Sequence, residues 1–278
     1  MTLADSGTSA LVRAGPDRRR RAGPPVLSTL SVVSGAAEVP QERLVVAIDG
    51  PSGSGKSSTS RGVAGRLGLA YLDTGAMYRA ATWLALSSGV DLAHTAAVAD
   101  LVRGASITSS LDPADPTIEI NGHDVTEAIR DPAVSTAVSG VATNLDVRAE
   151  LIARQKAIIE QAPQGIVAEG RDITTVVAPD AAVRILLVAD PVARVARREA
   201  ELGGRVHTAD VHDQVIRRDQ DDSTVAQFHS AAPGVVVVDS TYLDLDEVID
   251  AICGLVDEAR VDMPRVDEER EPSTSAVS

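Results

Sequence analysis

The chain has 278 residues, 44% of them hydrophobic and only 2% aromatic, and a formal net charge of −14. This length suits one domain with an insert and terminal tails, and the core must consist mostly of Val, Leu, Ile and Ala. The acidic balance argues against a protein that binds nucleic acid or a membrane surface, but it is compatible with a local site for an anionic ligand.

Both ends of the chain are predicted to be disordered. Residues 1–42 are rich in Ala, Gly, Ser, Pro and Arg without periodicity, and residues 260–278 are polar and contain proline. Four arginines at 18–21 precede an apolar stretch, as in a signal peptide, but prolines and serines interrupt it. No apolar run approaches the ~20 residues that span a bilayer, so a cytoplasmic protein is expected.

The single cysteine, Cys253, excludes a disulfide within the chain and is interpreted as a small apolar helix residue.

Between the tails, residues 43–259 alternate short apolar runs with helical patterns. The continuous apolar runs, typical of strands buried on both faces, are LVVAI (44–48), GIVAE (165–169), VRILLVA (183–189) and VVVVD (235–239), with LAYLD (69–73) as a weaker fifth. Helical patterns occupy 56–67, 76–88, 145–161, 191–202, 208–221 and 244–258. This alternation predicts an α/β fold with a parallel sheet and helices on either side.

Residues 90–143 interrupt the alternation. An Asn121-Gly122 pair lies there, with Ile118 and Ile120 before it and Val125 after it, which is a hairpin signal. A small insert, part hairpin and part helix, is therefore predicted between the second and third core strands.

The loop after the first strand, GPSGSGKSS, contains the pattern G-x-x-x-x-G-K-[ST]. Its glycines allow backbone N–H groups to curl around phosphate oxygens, and the helix that begins near Lys56 directs its positive dipole end at the anion. Lys56 is expected to bridge the β and γ phosphates, and the Ser57 hydroxyl to bind Mg²⁺. The predicted nucleotide contacts are Gly50, Pro51, Ser52, Gly53, Ser54, Gly55, Lys56, Ser57 and Ser58. The pattern does not say where the γ-phosphate goes, because GTPases, ABC-type ATPases, motors and small-molecule kinases share it.

Arginines and small polar residues further along indicate phosphoryl transfer. The chain has no Asn-Lys-x-Asp signature, no LSGGQ-like stretch and no apolar strand that ends in Asp-Glu. The clusters are YLDTGAMYR (71–79), Ser139 with Arg148 nine residues later, AEGRD (168–172) at the end of a predicted strand, and RRDQDDS (217–223). A single arginine is most often a solvated salt-bridge partner. Together these arginines supply the positive charge that transfer between two anions requires.

These segments resemble the bacterial cytidylate kinase family. The stretches VTEAIRDPAVSTAVS, VRAELIARQKAI, VAEGRDITTVVAPDA and VVVVDST occur with them in the order and approximate spacing of that family, over about 44–258. The resemblance implies a P-loop core of five parallel strands, a nucleoside monophosphate-binding insert (about 90–143) and a short lid (within about 191–222). It also implies ATP as the donor, Mg²⁺, CMP or dCMP as the acceptor, and a monomer.

The resemblance further implies roles for individual residues. Those that would contact the acceptor nucleotide are Ser139, Arg148 and Asp172 at the base, Arg79 and Arg171 at its phosphate, and Arg218 and Asp222 near the ribose. Thr74 would be a small hydroxyl residue near the same nucleotide. One or two lid arginines among Arg194, Arg197 and Arg198 would touch the ATP phosphates. The predicted catalytic group is Lys56, Arg79, Arg171 and Arg198. Transfer would be in line and would depend on positioning and charge neutralisation, because the acceptor is already an anion.

Three positions depart from the family pattern or leave a choice. Val225 stands where an arginine is frequent, which puts the preference for CMP or dCMP in doubt, and Thr174 stands where glycine is frequent. Glu169 could hold magnesium through water or be a structural carboxylate.

Two alternative functions stay open: a P-loop kinase that acts on UMP, GMP or shikimate, and a regulatory module that binds nucleotide without transferring phosphate. From its sequence, Thr74 is also expected to cap the helix that carries Arg79.

Overall fold

The computed structural model describes residues 43–202, 217, 219–226, 228 and 230–262. Its strands are β1 (Leu44–Asp49), β2 (Ala70–Asp73), β3 (Ile107–Ser109), β4 (Ile118–Ile120), β5 (His123–Asp124), β6 (Gly165–Gly170), β7 (Val183–Val188) and β8 (Val236–Asp239). Five of them form a parallel sheet in the order β2-β6-β1-β7-β8. All five apolar runs are therefore strands of one sheet, and the predicted fold class is confirmed. The predicted leader, 1–42, lies outside the described residues.

Helices cover both faces of this sheet. In the described ranges the α-helices are α1 (Lys56–Leu67), α2 (Thr74–Ser87), α3 (Thr95–Gly104), α4 (Pro132–Ala142), α5 (Leu145–Gln161), α6 (Pro191–Leu202) and α7 (Leu245–Asp262). Successive strand residues point to opposite faces. Val46 and Ile48 of β1 therefore pack in a cluster with α1 and α7, whereas Ala47 packs in a cluster with α2, α3 and α5. Gly62 allows α1 and α7 to approach closely, because a Cβ there would lie 2.2 Å from the Ile249 Cδ1 atom.

The segment between β2 and β6 contains the predicted hairpin. Strands β3, β4 and β5 form a separate antiparallel sheet, in which Ile120 pairs with His123 across a two-residue turn. Asn121 and Gly122 in that turn have φ values of 51° and 77°, as a tight hairpin turn with two left-handed residues requires. Ile118 and Ile120 point inward and join the core cluster on the α2 side of the large sheet. The insert is therefore packed onto the main fold.

Two helix boundaries differ from the prediction. Helix α2 begins at Thr74 and is capped by Asp73, whose Oδ1 accepts from the Ala76 N–H at 2.8 Å, so the expectation that Thr74 is the cap was wrong. Aspartate is a strong N-cap, and the Thr74 hydroxyl instead donates to the Glu169 carbonyl at 2.6 Å. Helix α7 continues to Asp262, beyond the predicted tail start at 260, because Val256 is buried and Ala259 still packs against the same core cluster.

The predicted helix at 208–221 and the predicted lid lie partly outside the described residues. Of that helix, residue 217 and residues 219–221 are described, and they are helical. No helix in the described part of the chain is both long and apolar enough to cross a membrane.

Candidate active site

The phosphate loop, residues 50–55, joins β1 to α1 at the carboxyl edge of the large sheet, and Lys56, Ser57 and Ser58 form the first turn of α1. Gly53 and Gly55 have φ values of 75° and 91°, in the left-handed region that favours glycine. A Cβ at Gly53 would lie 2.5 Å from the Arg194 carbonyl oxygen, so the loop is also in close contact with α6. The Lys56 ammonium donates to the Pro51 carbonyl at 2.8 Å and thereby folds back over the loop.

Helix α6 supports the loop through two of the three predicted lid arginines. Arg194 donates to the Ser52 carbonyl at 3.1 Å, and Arg197 donates to the Ser54 carbonyl at 3.3 Å. Arg197 also donates to the Ser240 hydroxyl and carbonyl, at 2.9 and 2.6 Å. These two arginines therefore bind protein backbone, while Arg198 is the member of the trio that lines the cavity above the loop.

One cavity lies directly over the phosphate loop. Its lining comprises Ser52, Gly53, Gly55, Lys56, Ser57, Ser58, Asp73, Gly75, Arg79, Glu169, Gly170, Arg171 and Arg198. Arg79 is paired there with Asp73, with Nη2 and Oδ2 2.8 Å apart. The cavity thus combines main-chain donors at a helix start with four cationic side chains, a combination suited to a polyphosphate.

Glu169 is a buried carboxylate in the wall of this cavity. It accepts from the Tyr71 hydroxyl at 2.6 Å. Burial, reinforced by the neighbouring Asp73 carboxylate, raises the pKa of Glu169, although Lys56 and the hydrogen bonds from Tyr71 and Ser57 oppose that rise. The arrangement places carboxylate and hydroxyl oxygens beside Lys56.

A second cavity adjoins the first. It is lined by Thr74, Gly75, Tyr78, Val138, Ala142, Arg148, Gly170, Arg171, Asp172, Asp222 and Ala226. Within this lining Arg148 forms an ion pair with Asp172, and the two side chains are only 11% and 8% exposed. Burial raises the pKa of Asp172 despite the opposing effect of Arg148. This pair presents a carboxylate and a guanidinium side by side, a donor and acceptor set that can recognise the edge of a base.

Arg171 stands between the two cavities and lines both. Its Nε atom lies 3.0 Å from the Asp222 carboxylate and its Nη2 atom 3.1 Å from the Asp219 carboxylate, while Nη1 donates to the Gly50 carbonyl. Its guanidinium carbon lies 4.6 Å from the centre of the Phe228 ring. Arg171 is therefore held in one orientation where the two cavities meet.

The segment that follows Arg171 and Asp172 is held in place by hydrogen bonds to Asp49 at the end of β1. Its fully buried carboxylate accepts from the Ile173 N–H at 2.9 Å, the Thr174 N–H at 2.8 Å and the Thr174 hydroxyl at 2.7 Å. Desolvation raises the pKa of Asp49 in spite of these bonds. The threonine that departs from the family pattern thus supplies an additional donor to a buried acid.

Most of the predicted site residues line the two cavities, with five exceptions. Gly50, Pro51 and Ser54 lie in the loop but line neither cavity. Ser139 is half-buried on α4, one position from Val138, and is also absent from both linings. Arg218 lies outside the described residues.

Sequence reasoning missed four residues at the site: Asp49, Tyr78, Asp219 and Phe228. Asp49 directly precedes the loop pattern, and Tyr78 and Asp219 belong to motifs already noted, so position was a usable signal for these three. Phe228, the single phenylalanine of the chain, lies in no motif. Its role depends on the approach of Arg171 across 57 positions, which no local pattern indicates.

Comparisons with known proteins agree with this geometry. The family model for cytidylate kinase matches residues 46–258. The cytidylate kinase of Cutibacterium acnes is 56% identical over 216 residues, which cover 77% of this chain and 96% of that protein. The cytidylate kinase of Streptomyces griseus subsp. griseus is 45% identical over 230 residues, covering 82% and 99%.

A search of solved structures finds much weaker likeness. Shikimate kinase from Acinetobacter baumannii aligns over 78% of this chain and 94% of its own, at 12% identity and a TM-score of 0.36. Likeness at that level carries no functional argument. The sequence relatives and the family model do carry one, because they cover most of the chain at high identity. They show that the chain belongs to the cytidylate kinase family, whose members phosphorylate CMP and dCMP with ATP.

Proposed function

We propose that this chain transfers the γ-phosphate of ATP to CMP or dCMP, with ATP over the phosphate loop and the acceptor in the adjoining cavity. The observation that carries the proposal is Arg171, which lines both cavities and so lies where the transferred group would pass. The buried pair of Arg148 and Asp172 in the lining of the acceptor cavity supports a base with an amine beside ring acceptors, as in cytosine.

In the donor half, the main-chain N–H groups of the loop and Lys56 bind the β and γ phosphates. Arg198 adds positive charge to this cavity. Arg79, which the resemblance assigns to the acceptor phosphate, lines the same cavity. Because phosphoryl transfer needs little covalent chemistry from the protein, these groups act by positioning the phosphates and neutralising the charge that develops.

In the acceptor half, Asp172 accepts from the exocyclic amine of cytosine and Arg148 donates to its ring acceptors. Uracil has a carbonyl where cytosine has the amine, so the carboxylate would face an acceptor and UMP would be rejected. Thr74 and Asp222 line the same cavity and contact the nucleotide, with Arg171 at its phosphate. Ser139 and Arg218 are assigned to the base and the ribose by the resemblance alone.

Oxygen donors in the donor cavity fit Mg²⁺. Ser57 follows Lys56 at the start of α1, and the Glu169 and Asp73 carboxylates line the same cavity. Mg²⁺ is commonly bound by few protein oxygens together with substrate phosphates and water, so this small donor set suits it. Ser57 would bind the ion directly and Glu169 through water. When bound, the ion would supply further neutralisation of the phosphate charge.

The chain is proposed to act as a monomer in the cytoplasm. The monomeric state is what the resemblance to the family implies.

An acceptor panel tests the function. Purified protein, ATP and Mg²⁺ are mixed with CMP, dCMP, UMP, GMP or shikimate, and ADP release is followed by a coupled assay. Turnover with CMP or dCMP, at least tenfold above the other acceptors in kcat/KM, is expected. Robust turnover with UMP, GMP or shikimate and none with either cytidine nucleotide would overturn the assignment. ATP binding without turnover of any acceptor would favour the regulatory alternative.

A further inference from the structure

Asp219 links three parts of the site that are far apart in the sequence. Its Oδ1 atom accepts from the Ser52 N–H of the phosphate loop at 2.9 Å and lies 3.1 Å from Nη2 of Arg171, which follows β6. Its Oδ2 atom accepts from Nη1 of Arg194 in α6. The residue is only 4% exposed and lines neither cavity, so these contacts are made behind the cavity wall.

Asp219 and Arg194 together hold the phosphate loop at both main-chain polar groups of Ser52. Asp219 accepts from the N–H of Ser52, while Arg194, itself paired with Asp219, donates to the carbonyl of Ser52. Ser52 in turn lines the donor cavity. A displacement of the Asp219 carboxylate would therefore move a loop residue in contact with the donor site.

The same carboxylate controls the orientation of Arg171. The guanidinium of Arg171 has Asp222 on Nε, Asp219 on Nη2 and the Gly50 carbonyl on Nη1, and it stacks on Phe228. Among the described residues, the two carboxylates of Asp219 and Asp222 and the two guanidiniums of Arg171 and Arg194 thus meet in a largely buried group. Charge-assisted bonds of this kind are short and directional, so they set geometry as well as energy.

We infer that Asp219 is a positioning residue of the phosphoryl-transfer reaction. It acts through Ser52 and Arg171, without touching either nucleotide, and sets the distance between the donor loop and the arginine at the junction of the two cavities. This inference rests on the proposed function. In a reaction that depends on positioning, a misplacement of about 1 Å costs about a hundredfold in rate. Asp219 is therefore expected to affect kcat more than the KM of either substrate.

A double-mutant cycle tests the role. Rates are measured at saturating ATP and CMP for the wild type, Asp219→Ala, Arg171→Ala and the double variant, and thermal melts establish that each is folded at the assay temperature. Asp219→Ala is expected to lower kcat about 30- to 100-fold in the wild-type background. In the Arg171→Ala background it should lower kcat clearly less, by about tenfold or less, because the contact with Arg171 is already gone and only the contact with Ser52 remains to be lost.

The control is Asp221→Ala, which removes a half-exposed carboxylate from the same segment. Asp221 lines neither cavity, and its loss should leave kcat within about twofold. If Asp219→Ala does not fold, Asp219→Asn takes its place in the cycle under the same criteria, because it keeps the side-chain volume and one acceptor oxygen.

The outcomes separate the inference from the function on which it rests. Equal loss of kcat from the Asp219 substitution in both backgrounds, or a wild-type kcat in the single variant, overturns the positioning role. A wild-type protein that phosphorylates neither CMP nor dCMP overturns the proposed function instead.

Discussion

Asp172→Asn should weaken CMP binding much more than ATP binding. The substitution keeps the side-chain shape but removes the charge that pairs with Arg148, at a site where both side chains are about nine-tenths buried. A hydrogen bond to a charged group is worth about 1.5–3 kcal/mol, and 1.4 kcal/mol is a factor of ten. The KM for CMP is therefore expected to rise about 10- to 150-fold. Since Asp172 lines only the acceptor cavity, the KM for ATP should change by less than about threefold.

The assay measures initial rates of ADP release with CMP varied at saturating ATP, and then the reverse. Asp180→Asn, which changes an exposed carboxylate eight residues after Asp172, is a matched charge removal and should leave both KM values unchanged. Removing one member of a buried ion pair also costs about 3–5 kcal/mol of folding stability, so urea unfolding accompanies the kinetics. Equal increases in the two KM values would refute the assignment of Asp172 to the base.

Three further predictions concern stability, measured by urea unfolding. Gly53→Ala should cost about 1–3 kcal/mol, because a Cβ there would lie 2.5 Å from a carbonyl of α6 and φ is +75°, whereas Gly65→Ala in α1, with nothing within 4 Å, should gain up to about 1 kcal/mol. Thr174→Val should cost about 1–3 kcal/mol, because it removes a hydroxyl donor from the buried Asp49 carboxylate. Glu169→Gln should make stability less dependent on pH. Since the folded-state pKa of Glu169 is raised, its stabilising contribution is complete below the unfolded pKa of about 4.3 and is lost as the pH rises through the folded value.

Each of these has a result that would contradict it. If both glycine variants lose stability alike, the close approach to α6 is not what limits position 53. A Thr174→Val protein as stable as the wild type would mean that the two backbone N–H groups alone satisfy Asp49. A difference in unfolding free energy between wild type and Glu169→Gln that stays constant from pH 4 to pH 8 would rule out a raised pKa.

The sequence by itself determined the features that depend on neighbouring residues. The apolar runs of β1, β6 and β7 are buried on both faces, and such strands must read as continuous hydrophobic stretches. The phosphate loop is equally local, because its glycines, lysine and helix start occupy nine consecutive positions. Asn121-Gly122 fixed the hairpin for the same reason, since a two-residue turn of this kind needs two residues that tolerate positive φ.

Only the tertiary structure decided which of several similar side chains binds the loop backbone and which lines a cavity. Arg194, Arg197 and Arg198 are indistinguishable in a stretch of five residues, yet two bind the loop backbone and the third faces the donor cavity. The direction of α6 relative to the loop sets this division. Likewise, Asp49 meets Thr174 across 125 positions and Asp219 meets Ser52 across 167. Such pairings arise because parallel strands bring their carboxyl ends to one edge of the sheet, and the packing of the whole chain determines which side chains meet there.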